Sequence, residues 1–249
     1  KTTLARQAFS GKPYVSMEDP TELAFAQSDP RGFLLRYAEG AIFDEAQRWP
    51  ELFSYLQGMV DNDRAPGRFV LTGSQQFGLM AGVTQSLAGR VGMTRLLPLA
   101  LCELHPDHKT SSPLNLIEHL WRGGYPALWQ SRPAALEAND WFGSYIASYV
   151  ERDVRQLLQV QNLSIFQRFV RLCAARTGTL LNLVALASDA GISHTTARQW
   201  LSVLQSSELV LLLQPYHRNF GKRLVKTPKL YFTDTGLAAW LLGIRDPQL

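Results

Sequence analysis

The run Ala41-Ile42-Phe43 ends abruptly in two carboxylates, Asp44-Glu45, and no other stretch constrains the fold as tightly. A short, unbroken apolar run of this kind reads as a strand buried on both faces, as strands of parallel sheets are. The acids then sit at its C-terminal end. Alone, such a pair either serves a ligand or only solvates the end of a buried strand.

The flanking segments repeat the pattern. Arg68–Leu71 is another apolar strand, ending in Thr72-Gly73-Ser74; Pro13–Met17 reads as a short strand, and Met93–Leu97 as a third apolar strand of this type. Helical spacing separates them, over Lys1–Phe9, over Arg31–Ala38, and from Pro50 onward with Leu52, Phe53, Leu56 and Met59. Strands alternating with helices predict an α/β layer structure with a parallel sheet.

Beyond Leu104 the pattern changes. His105–Pro113 is polar and bounded by proline, a credible domain edge. Helices follow over Leu114–Arg122, Glu137–Leu158 and Ser164–Arg176, with a break at Gly123-Gly124-Tyr125-Pro126. Leu183–Gln205 has a helix-turn-helix cadence: Gly191 supplies the turn and Ser193 caps the second helix. There Ala197, Leu201 and Leu204 face inward, while Thr195, Thr196, Arg198, Gln199 and Ser202 face out. A strand over Leu209–Leu213, a basic loop over His217–Lys226 and a return strand over Lys229–Thr233 complete a winged helix. The expected division is 1–104 for the α/β domain, 105–178 for a helical region, and 179–249 for the winged-helix module and the start of a C-terminal domain.

Composition narrows the function classes. With 46% hydrophobic residues in 249, disorder is excluded. The longest apolar stretches fall short of a membrane span of about 20 residues, so no membrane partner is expected. No secretory signal opens the chain, and Cys102 and Cys173 form no pair, so a reducing cytoplasm is the expected compartment. The net charge of +4 is uneven. Between His194 and Lys229 six basic residues stand against one acidic residue, Glu208, leaving the rest of the chain near neutral. Such a patch either meets a polyanion such as DNA or keeps an edge strand soluble. The cluster Cys102, His105, Asp107, His108 reads as a polar linker more readily than as a zinc site, because no second knuckle accompanies it.

A nucleoside triphosphate needs a cation at its phosphates, a hydroxyl for magnesium and a carboxylate near the attacking water. Lys1-Thr2 before a helix matches the end of the phosphate-loop pattern G-x-x-x-x-G-K-[ST]. Lys1 would reach the β- and γ-phosphates and Thr2 would ligate Mg²⁺. Asp44 would hold the metal through water, Glu45 would polarise the hydrolytic water, and the hydroxyls after Leu71 would sense the γ-phosphate.

In these features the chain resembles the prokaryotic P-loop ATPases of the extended AAA type that carry a C-terminal domain of uncharacterised function. The marks are Lys1-Thr2-Thr3-Leu4-Ala5, Ile42-Phe43-Asp44-Glu45-Ala46-Gln47, Leu71-Thr72-Gly73-Ser74, Leu87-Ala88-Gly89-Arg90, Gly123-Gly124-Tyr125-Pro126, Tyr149-Val150-Glu151-Arg152-Asp153 and Lys229-Leu230-Tyr231-Phe232-Thr233-Asp234-Thr235-Gly236-Leu237. The resemblance implies that Lys1 and Thr2 belong to Walker A, Asp44 and Glu45 to Walker B, and Ser74 or Thr72 to sensor 1. Arg90 is then a candidate phosphate-facing arginine, with a structural salt bridge as the alternative.

The resemblance also implies a central strand and glycine loop ahead of Lys1, the strand lying between those ending at Ser74 and near Leu97, and a restriction-nuclease-like fold beyond Leu249. The 249 residues are therefore expected to be the middle of a longer protein, binding ATP weakly or not at all by themselves. The whole protein is expected to hydrolyse ATP with Mg²⁺ and to pass the resulting change to its helical and winged-helix part. Two other readings stay open. One is a DNA-binding regulator on a degenerate scaffold, using Thr195, Thr196, Arg198, Arg218, Lys222 and Arg223. The other is a nuclease-linked effector. No protein partner or oligomeric state is legible.

Overall fold

A computed structural model describes residues 1–73, 83, 86–104, 113–129, 137–148, 162–216 and 226–247. The chain divides into two compact units, Lys1–Leu96 and Leu97–Leu249.

Among the described residues the first unit has three parallel strands, β1 (Tyr14–Ser16), β2 (Ala41–Asp44) and β3 (Phe69–Leu71), in the order β1-β2-β3. Tyr14 aligns with Ile42 and Ser16 with Asp44; Ala41 aligns with Phe69 and Phe43 with Leu71. The central strand is buried at all four positions, as its apolar run predicts, whereas β3 is half-buried. Among the described residues the sheet is accompanied by α1 (Thr2–Ala8), α2 (Pro20–Ser28), α3 (Pro30–Leu35) and α4 (Leu52–Asn62). Asp19 caps α2 by accepting the Thr21 amide at 2.8 Å, and Asp29 caps α3 through the Gly32 amide at 3.0 Å. Each of these two helices carries a proline in its first turn, where a missing N–H costs nothing.

Strand alternation decides what each face of β2 meets. Ala41 and Phe43 enter an aromatic core centred on Phe33, which is fully buried. The Phe33 ring meets Phe25, Tyr37 and Trp49 edge-on at 5.7, 5.2 and 5.6 Å, a favourable quadrupole arrangement. Ile42 and Asp44 take the other face. The core therefore fixes β2, and β2 presents Asp44 away from it.

One expected strand is absent. Met93–Leu97 has no strand structure, and Met93 and Leu97 are 52% and 61% exposed. A strand exists through its ladder, and among the described residues nothing pairs with the second edge of β3 to give this segment a neighbour.

The second unit is mainly helical: α5 (Leu101–Leu104), α6 (Pro113–Arg122), α7 (Ala138–Tyr145), α8 (Leu163–Ala175), α9 (Leu183–Ala190), α10 (His194–Ser206) and α11 (Thr235–Leu241), with the antiparallel pair β4 (Val210–Leu213) and β5 (Lys229–Phe232). The helix expected over Glu137–Leu158 is present as α7, and its positions from 149 onward lie outside the described residues. Helix α9 ends at Gly191 in the left-handed conformation, and Ser193 Oγ then accepts the Thr196 amide at 3.0 Å to start α10. Trp200 anchors α10 against Phe166 and Phe169 of α8, at 5.1 and 5.4 Å between rings. On the other side of β5, Leu180 bridges Lys229.

The break at Gly123-Gly124 and the start of α11 form one joint. Asp234, 2% exposed, accepts the amides of Leu237 and Gly124, each at 2.7 Å. It thus caps α11 and ties down the turn after α6 with one carboxylate.

Candidate functional site

Asp44 stands at the end of β2, 7% exposed, with hydroxyls on three sides. Thr2 Oγ1 donates to it, lying 3.0 Å from Oδ1 and 2.9 Å from Oδ2. Tyr14 of β1 donates its phenol proton to Oδ2 at 2.8 Å, and Thr72, just past β3, donates to Oδ1. Both neighbouring strands and α1 thus converge on one buried carboxylate. Lys1 Nζ donates to the Gly73 carbonyl at 3.1 Å, which holds the amine at the same strand ends.

Glu45 follows with φ 54°, in the left-handed region that costs a non-glycine residue about 1 kcal/mol. The bend is held from outside, because the Ala46 amide donates to the Thr72 carbonyl at 3.0 Å. The chain then turns into a short 3₁₀ segment, Ala46–Arg48. Gln47 Nε2 donates to Glu45 Oε2 at 2.6 Å and so orients that carboxylate. Strained backbone at a cluster of polar side chains is common at functional sites.

Lys1, Thr2, Asp44, Glu45 and Thr72 are therefore brought together. Ser74 lies outside the described residues. Arg90 lies in a bidentate pair with Asp61, Nε to Oδ1 at 2.6 Å and Nη2 to Oδ2 at 3.0 Å, which is the salt-bridge arrangement left open by the sequence. The Arg90 hydrogen bond holds the Asp61 carboxyl below its ordinary range. In the second unit Thr195 and Arg198 are exposed on α10; Thr196 is half-buried, its hydroxyl 2.8 Å from Ser193 Oγ. Arg218, Lys222 and Arg223 lie outside the described residues, as do His105, Asp107 and His108.

Tyr14 carries no sequence signal that singles it out. Burial, then its hydrogen bond to Asp44, push its phenol above the ordinary tyrosine range. Cys173 is excluded as a nucleophile, since burial pushes its thiol up to about 12.

The donor set around Asp44 is all oxygen. A hydroxyl and a carboxylate within 3.0 Å of each other suit a hard cation such as Mg²⁺, which takes one or two carboxylates and completes its shell with water and phosphate. Among the described residues no group of three or more His, Cys, Asp or Glu could hold a metal.

Residues 114–248 match the family model described as a domain of unknown function, DUF8612. The chain belongs to the DUF8612 family. Residues 1–105 match the model described as an AAA domain, so this DUF8612 member carries, ahead of its family domain, a match to an ATP-binding NTPase family. The chain is 33% identical over 249 residues to the uncharacterized protein Mb2031c of Mycobacterium bovis and equally to the uncharacterized protein Rv2008c of Mycobacterium tuberculosis. The match takes in 99% of this chain and 54% of each relative, so the chain spans about half the length of the curated relatives it matches. No solved structure matches it. No helix among the described residues is long and apolar enough to cross a membrane.

Proposed function

We propose that the AAA part of this DUF8612 protein binds ATP with Mg²⁺ and, in the whole protein, hydrolyses it. One observation carries the reading. Residues 42 positions apart, Thr2 and Asp44, meet through a hydroxyl–carboxylate hydrogen bond beside the Lys1 amine and at the foot of Glu45. Nothing about chain folding alone requires a lysine, a hydroxyl and two acids at one set of strand ends.

Lys1 would exchange its carbonyl partner, Gly73, for phosphate oxygens, a stronger charge-assisted contact. Thr2 and Asp44 would hold Mg²⁺, which when bound neutralises charge on the phosphates. Glu45, set off the end of the strand by its left-handed backbone, would orient and polarise the attacking water. Thr72 would sense the γ-phosphate from β3. Arg90 would serve as a phosphate-facing residue only by leaving Asp61. The reading is tested by Mg²⁺-dependent phosphate release from ATP by the whole natural protein, with Lys1→Ala as the comparison: release that survives Lys1→Ala overturns it.

A second reading rests on α10. Ala197, Leu201 and Leu204 are buried while Thr195, Arg198, Gln199 and Ser202 are exposed, the division that a groove-reading helix in a winged helix requires. With the β4–β5 pair following it in the chain and the basic residues of 217–226 between those strands in sequence, this module would contact DNA and receive the nucleotide-driven change. Residence in the cytoplasm, and a winged-helix module starting at 179 after a helical region from 105, belong to the same proposal.

A further inference from the structure

Resting on the ATPase reading, we propose that Tyr14 is a positioning residue for Asp44, holding the carboxylate in the orientation that Mg²⁺ with ATP requires.

A buried carboxylate offers about four acceptor positions, and any left empty costs free energy. Three side chains fill those of Asp44: Thr2, Thr72 and Tyr14. Two of the three have other duties in the proposed site. The Thr2 hydroxyl has a metal to meet, and Thr72 has the γ-phosphate. Tyr14 approaches from β1, on the side of β2 away from β3, and has no such duty. It is the donor that stays on Asp44 when nucleotide enters.

The phenol is itself held on several sides. Its backbone is locked in the ladder opposite Ile42, two residues before Asp44, so the side chain lies diagonally on the same face as the carboxylate. The Arg6 guanidinium of α1 stands 4.8 Å from the ring centre. Tyr14 thus joins α1, which carries Thr2, to β2, which carries Asp44. Partners behind a metal-holding carboxylate fix its orientation, and their loss typically weakens metal affinity about 10- to 100-fold.

Tyr14→Phe removes one oxygen and keeps the ring under Arg6. The whole natural protein and this variant would be titrated with a fluorescent N-methylanthraniloyl ATP, first without metal and then with increasing Mg²⁺, and their melting temperatures compared. We expect metal-free affinity to stay close to that of the unaltered protein and the melting temperature to fall by only a few degrees, the cost of one emptied acceptor position. The Mg²⁺ concentration that half-saturates the metal-dependent gain in affinity should rise about tenfold or more. An identical Mg²⁺ requirement in Tyr14→Phe overturns the role of Tyr14. So does an equal loss of affinity with and without metal, which marks a merely structural residue. If the unaltered protein shows no Mg²⁺-dependent nucleotide binding, the ATPase reading itself is overturned.

Discussion

Gly123 leaves no room for a side chain because Asp234 occupies it: a Cβ at Gly123 would stand 2.4 Å from Asp234 Oδ1. Its φ of 72° adds backbone strain for any other residue. Gly178 has a similar φ of 79°, but a Cβ there would meet only a Tyr231 ring atom at 3.7 Å, an ordinary contact. Gly178→Ala should therefore cost about 1 kcal/mol, and Gly123→Ala about 3 kcal/mol or more. Chemical unfolding of both variants separates conformational strain from the close approach to the carboxylate.

Asp234 should make stability depend on pH. Burial raises its pKa above the ordinary carboxylate value, outweighing the amides of Gly124, Leu237 and Gly236, which lower it. The folded state therefore holds this proton more tightly than the unfolded chain does. The stability it contributes is complete below the unfolded pKa, near 4, and is lost as pH rises through the folded value. Asp234→Asn removes the titration. The stability of the natural protein relative to this variant should fall as pH is raised from about 4; an unchanged difference would refute the assignment.

The aromatic core that holds β2 can be tested at Phe33. Its ring is fully buried and meets Phe25, Tyr37 and Trp49 edge-on. Phe33→Ala should destabilise the first unit by about 3–5 kcal/mol, measured by denaturant unfolding. Nucleotide binding should fall with it, because β2 positions Asp44.

If α10 contacts DNA, Arg198→Ala should weaken binding to duplex DNA and reduce the slope of affinity against salt by about one. Arg198 is exposed and remote from the buried face of α10, so the melting temperature should hold. Unchanged binding and slope would remove α10 from the interface.

Local patterns in the sequence carry part of this architecture. The run Ala41–Phe43 announces a buried strand because both faces of β2 are covered. The helical spacing of Ala197, Leu201 and Leu204 likewise marks the buried face of α10. Helix α2 escapes notice because Leu23, Phe25 and Ala26 make no stripe along it; its signal is the Asp19-Pro20 cap instead. Met93–Leu97 is as apolar as a strand, but pairing, which no local pattern encodes, decides the outcome. That Thr2 and Asp44 belong together is legible through motif chemistry, and the two do meet. The approach of Tyr14 to Asp44 is not legible, because it comes from the β1–β2 register. The Gly124–Asp234 bond spans 110 residues, and nothing in either segment points to the other.

The central claim is that the strand-end cluster is an ATPase site, and Glu45→Gln tests it most directly. In the whole natural protein with Mg²⁺, this variant should bind the fluorescent ATP analogue about as tightly as the unaltered protein. Its rate of phosphate release should fall about 100-fold or more, the usual contribution of a positioned general base. Undiminished ATP hydrolysis by Glu45→Gln would contradict the account.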